Sequence, residues 1–170
     1  LGDVYKRQAQ VIARTLALAG GGALIVLIVL TCLSIIGRVF VPLDIGIGPI
    51  RGIYDITEIG ISAAVFAFLP WAQLRETHAR VDLFQWAIPR RINQGLDLLF
   101  NLAMAFVATV GSHRLYLGMQ DKITYGETTL IAQIPVWQGY AFALIGAFGF
   151  VLVAIFCVIR AARRLAGFEE

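Results

Sequence analysis

The sequence predicts an all-α membrane protein: four transmembrane helices plus a short amphipathic interfacial helix between helices 2 and 3. Three observations carry this. Hydrophobic residues make up 59% and charged residues 15% of the 170 positions, against about 45–50% and about 25% in a soluble domain. The mean hydropathy is +0.79. The charges cluster between long apolar runs rather than alternating with them. The net charge of +3 comes without a Lys/Arg block that could track phosphates, so nucleic acid is not an expected partner. The bilayer itself is.

The first eight residues, LGDVYKRQ, stand apart. Read back into codons, Asp3 to Gln8 gives GAT-GTG-TAT-AAG-AGA-CAG, which matches an end sequence used by a common transposase in DNA library preparation. Positions 1–8 therefore read as a translated sequencing adaptor, and 9–170 as a single four-helix domain. Between Arg14 and Arg38 about 23 positions carry no charge, enough to cross ~30 Å of hydrocarbon. This is span one, about 15–38, with Gly20, Gly21 and Gly22 in its first third. Small residues there permit close helix contact.

VPLDIGIGPIRG (41–52) is a loop by its proline and glycine punctuation. The next uncharged run, Ile59 to Leu74, is short for a span. It reaches full length if the helix starts near Ile53, giving span two at about 53–74. Asp55 and Glu58 then fall in the first turns, where the helix dipole favours carboxylates. Span three is expected at about 96–117, with His113 and Arg114 near its end. Span four is expected at about 135–159, with Pro135 suited to a first helical position and Arg160, Arg163 and Arg164 closing it. Cys32 and Cys157 sit at different depths in these runs, so they read as small buried apolar residues rather than a disulfide.

With four spans, the N-terminus, the middle loop and the C-terminus share one side. Eight Arg fall on that side beyond the adaptor, against four Arg or Lys on the other. The positive-inside rule then places both termini in the cytoplasm.

FLPWAQLRETHARVDLFQW (68–86) turns from apolar to charged and back. Val81, Phe84 and Ile88 recur at helical spacing, with Trp86 beside them and Arg80, Asp82 and Gln85 between. This suits a helix lying in the membrane interface, with Trp71 and Trp86 at headgroup depth. A metal site at His78 lacks the three or four ligands that zinc takes. A shared haem would need His78 and His113 at one depth, yet the expected spans separate them by ~24 Å along the membrane normal. No nucleophile elbow, Walker loop or dinucleotide fingerprint is present. These patterns point away from an enzyme, and no cofactor is expected.

Glu58 keeps two readings. An intramembrane carboxylate is a candidate for an ion or proton path. Equally, it lies one or two turns from the loop, where Arg51, Arg38 or Arg114 could pair with it. Arg38 reads as snorkelling outward.

The motifs in order resemble a known family. Arg38 closes span one and Glu58 enters span two. LRETHARVDLF follows span two, with Arg75, His78 and Asp82 in an Arg-x-x-His-x-x-Val/Asp pattern. TLIAQIPVWQGYAFALIGAF opens span four, with Pro135, Trp137 and Tyr140 in a Leu-x-x-Pro-x-Trp-x-x-Tyr pattern. Together they are similar to the small membrane subunit of tripartite ATP-independent periplasmic (TRAP) transporters, the DctQ-like family, over Ala9 to Arg164. The long Gly/Pro loop at 41–52 departs from the pattern. The resemblance implies a non-enzymatic scaffold in the bacterial inner membrane. Its partners would be a large TRAP membrane subunit and, through the complex, a periplasmic solute-binding protein. The transported cargo would be an organic acid, coupled to sodium. Arg75, His78 and Asp82 take structural roles on this reading. Two others stay open: a self-sufficient small carrier using Glu58, and a membrane anchor for an oxidoreductase.

Overall fold

The computed structural model describes residues 2–41, 48–75 and 90–166. Four helices are formed: α1 (Gly2–Phe40), α2 (Ile53–Leu74), α3 (Arg90–Tyr125) and α4 (Trp137–Leu165). Each contains a stretch long and apolar enough to cross a membrane. There is no strand among the described residues. The interfacial helix expected between α2 and α3, with His78, Asp82 and Trp86, lies outside them.

Two helices extend well past their apolar stretches. α1 is continuous through residues 2–40, ~58 Å of helix against ~30 Å of hydrocarbon. α3 does not stop near 117. It runs eight residues further, to Tyr125, another ~12 Å. His113, Arg114, Asp121 and Lys122 are polar but not helix-breaking, so they lengthen α3 beyond the core instead of ending it. The stop comes at Gly126, which adopts φ 61° and donates its N–H to the Ile123 carbonyl at 3.3 Å, a left-handed cap open to glycine. α4 starts two residues later than Pro135 suggested. Pro135 pairs instead with Thr128 in an isolated bridge, and its carbonyl accepts the Gln138 N–H at 3.1 Å.

α4 is the hub. It packs against α1, α2 and α3, α1 also packs on α2, and no close backbone approach joins α3 to α1 or α2 among the described residues. Its buried positions include 143, 147, 150, 154, 157 and 161 and also 139, 146 and 153. The first row steps by four and three and the second by seven, so two adjacent stripes face the neighbouring helices. One stripe meets α3, where Ala108 packs with Phe150 and Ala154 beside Met104 and Ala105. The other meets α2 and α1, where Leu74, Val153 and Cys157 enclose Ala9 and Ala13.

Glycine makes the α2–α4 crossing close. A Cβ on Gly146 would stand 2.5 Å from the Phe66 carbonyl carbon and 2.6 Å from its oxygen. Phe66 lies four residues before Pro70, which is inside α2 and has no N–H to give it. Gly149 packs on Leu16 and Pro70, and Gly139 on Ile59. The Gly139, Gly146 and Gly149 face thus serves contacts within the chain. Of the α1 glycines, Gly20 meets Ala64 and Ala67 of α2, whereas Gly21 and Gly22 face open space.

Outside these contacts the helices are apolar and uncovered. α1 exposes Leu18, Ile25, Val29 and Ile36, and α3 exposes Leu99, Phe100, Phe106 and Val110. In water such faces would aggregate; in a bilayer they meet lipid or another helix. Cys157 is buried, but Cys32 is exposed on α1, contrary to its expected burial.

Candidate functional site

The α1–α2 and α3–α4 connections lie at one end of the bundle, and there a compact hairpin is tied down. Thr129 N–H donates to the Ile134 carbonyl at 2.9 Å, and Val136 N–H to the Glu127 carbonyl at 3.0 Å. The Thr129 hydroxyl accepts the Ile134 N–H at 3.1 Å. Lys122, in the last turn of α3, pairs with Glu127 at the hairpin's start. The tip, Ile131 and Ala132, directs its two N–H groups onto one oxygen of Asp55, at 3.0 and 2.8 Å. Asp55 therefore latches α2 to the hairpin, a role sequence reading did not assign. Its position in a helix first turn was visible, but its partners lie 76 and 77 residues away.

Gly52 completes the latch. It has φ 74°, and a Cβ there would stand 2.5 Å from that of Ala132. A left-handed backbone and a close approach both call for glycine at this place.

Between α2, α4 and the hairpin lies a cleft of about 460 Å³, to which α3 contributes Leu115. Asp55, Glu58, Ile59, Ser62 and Phe66 present one face of α2 to it, at the three- and four-residue spacing of a helix surface. α4 supplies Gly139, Tyr140 and Ala143. Glu58 is exposed and makes no ion pair with Arg51, Arg38 or Arg114 among the described residues.

The other expected residues are spread over the molecule. Arg38 is exposed in the last turn of α1. At the opposite end, Trp71 packs on the α1–α2–α4 core, and the Arg75 guanidinium stands 4.7 Å from the centroid of its ring, a cation–π contact. Trp137 is 38% exposed. Tyr140 is packed against Gly118 of α3 as well as lining the cleft. Pro135 lies in the hairpin. The structure thus brings Glu58 and Tyr140 to one cleft, with Pro135 and Trp137 near its rim, and leaves Arg38, Trp71 and Arg75 elsewhere.

A second polar cluster, missed by sequence reading, lies toward the chain termini. Gln73 of α2 is 3% exposed and donates to the Asn101 side chain of α3 at 3.2 Å. Its own Oε1 is buried without a partner among the described residues. Asn101 in turn donates to the Asp97 carbonyl at 2.8 Å, and the Cys157 thiol approaches the Gln73 carbonyl at 3.8 Å. Ser112 of α3 likewise donates to the Ala147 carbonyl of α4 at 3.3 Å. These bonds lock helices laterally where apolar packing alone gives little direction. Among the described residues no group of three His, Cys, Asp or Glu side chains is placed to hold a metal ion.

No curated protein matches the chain. No solved structure matches it either. A family model described as "Tripartite ATP-independent periplasmic transporters, DctQ component" matches residues 27–167, which takes in the C-terminal third of α1, all of α2 to α4, the latch, the cleft and both motif regions. The chain belongs to the DctQ family, the small component of TRAP transporters.

Proposed function

We propose that the chain is a scaffold for the large TRAP permease subunit, in sodium-coupled uptake of an organic acid delivered by a periplasmic binding protein. One observation carries this reading. α4 contacts the other three helices on one side and exposes Phe142, Ile145, Phe148 and Leu152 on the other, while α1 and α3 sit at the edges and also turn rows of Leu, Ile, Val and Phe outward. A chain so arranged offers wide apolar surfaces for a second membrane protein and broadens that partner's footprint in the bilayer. Arg38, Arg75, His78, Asp82 and Trp86 act on this reading as membrane-boundary and interface residues. Trp71, Pro135, Trp137 and Tyr140 hold helix ends in place. Both termini lie in the cytoplasm and the chain sits in the inner membrane, in keeping with the Lys/Arg asymmetry.

Co-purification tests the scaffold. The tagged chain, expressed with the large subunit encoded beside it and extracted in mild detergent, should yield a stable complex of the two. Purification of the chain alone would remove the scaffold role. The carrier reading, favoured by the position of Glu58 in a cleft, would then predict transport by the chain alone in liposomes, abolished by Glu58→Gln.

A further inference from the structure

The cleft between α2 and α4 changes character along its length. Its loop end holds the Asp55 and Glu58 carboxylates with Thr128 and Thr129, and its deeper part is formed by Phe66, Leu115 and Ala143. Asp55 is already engaged by two backbone N–H groups. Glu58 is exposed and has no ion-pair partner among the described residues. It lies five residues into α2, ~7.5 Å along the helix from its loop end. The backbones of α2 and α3 do not approach closely among the described residues, and both helices line the cleft together with α4.

Volume and charge narrow the occupant. About 460 Å³ is far more than a bare metal ion fills. A negative mouth repels an anionic headgroup and attracts an ammonium. An apolar lower wall suits hydrocarbon.

We propose that this cleft binds a phospholipid with an amine headgroup, its ammonium on Glu58 and one acyl chain along Phe66, Leu115 and Ala143. The proposal needs only that the chain resides in a bilayer, and it stands or falls separately from the scaffold role. Tyr140 lines the same cleft between the charged and apolar parts, where its hydroxyl can donate to the lipid's phosphate or ester oxygens; the Ser62 hydroxyl beside it donates to the Glu58 and Ile59 carbonyls.

Native mass spectrometry of the full chain tests it, with equal amounts of dioleoyl phosphatidylethanolamine and dioleoyl phosphatidylglycerol offered in mild detergent. The wild type should retain the ethanolamine lipid preferentially. Glu58→Gln should retain it about tenfold less, as loss of one charge-assisted contact implies, and Glu58→Asp should keep the preference. Equal retention of the two lipids, or no change in Glu58→Gln, would overturn the proposal. A wild-type measurement guards against a variant that misfolds. Phosphatidylethanolamine carrying a diazirine on its acyl chain should label the peptides containing Phe66 and Leu115, and labelling confined to other peptides would overturn it too. So would loss of the lipid when the large subunit is bound, with Glu58 crosslinking to a Lys of that subunit, since the cleft would then belong to a protein side chain.

Discussion

Gly146 lies directly against the carbonyl of Phe66, the one that Pro70 deprives of its helical N–H. The proline opens a gap in the α2 ladder, and the glycine of α4 fits over it. Close approach lets a Cα–H face that oxygen, a weak contact that recurs between packed helices. Gly146→Leu would push α2 and α4 apart at their tightest point. The expected loss is ~1–3 kcal/mol of stability, read as a lower thermal midpoint in detergent. Gly21→Ala, at a site with open space around it, should be neutral or slightly stabilising. Equal losses in the two variants would mean that the close approach contributes nothing.

The latch should respond to changes on either side of it. Asp55→Ala removes the acceptor for Ile131 and Ala132, so amide exchange at those two positions should rise about tenfold or more, while exchange in the core of α4 stays unchanged. Unaltered exchange at 131 and 132 would show that the hairpin holds itself.

Gly52→Ala acts on the same place through the backbone. The left-handed φ of 74° costs an L-residue ~1–2 kcal/mol, and the new methyl meets Ala132. The variant should free the hairpin as Asp55→Ala does. In the double variant the two effects should fall short of their sum, because both act on one contact. Full additivity would argue for two independent sites.

Much of this architecture was legible in the residues. The apolar runs and their charged borders located four membrane helices, and motif order pointed to the family that residues 27–167 match. Helix length was not legible at α3, because an apolar run marks hydrocarbon, whereas a helix continues through His113 and Arg114 until a residue such as Gly126 stops it. Pro135 misled for a related reason: its fixed φ suits a helix start and a hairpin equally. Asp55 and Gln73 were missed because each acquires its role from partners distant in sequence. Pro70 gave no hint of its value until Gly146 was seen on the other side.

Gln73 offers a double-mutant cycle with Asn101. Gln73→Leu leaves the Asn101 amide oxygen without its donor and should destabilise by ~1–3 kcal/mol. Leu at both positions should recover most of that loss, and the coupling should fall near ~0.6–1.7 kcal/mol, as for hydrogen bonds between membrane helices. A coupling of zero, measured by unfolding in mixed detergent, would mean that the two side chains do not depend on each other.

The central place of α4 also dictates the order in which the chain can become itself. Of the four helices α4 is made last, and until it arrives α3 has no close backbone neighbour among the described helices and reaches α2 through the Gln73–Asn101 bond, while α1 and α2 already pack on each other. During synthesis the first two helices can settle as a pair, and the third waits loosely held in the lipid, with Ser112 lacking its Ala147 acceptor. A chain cut short before Trp137 should therefore leave a protease-resistant α1–α2 fragment and a degraded α3. The quality-control machinery of the cell would meet this protein as an incomplete object until α4 is threaded.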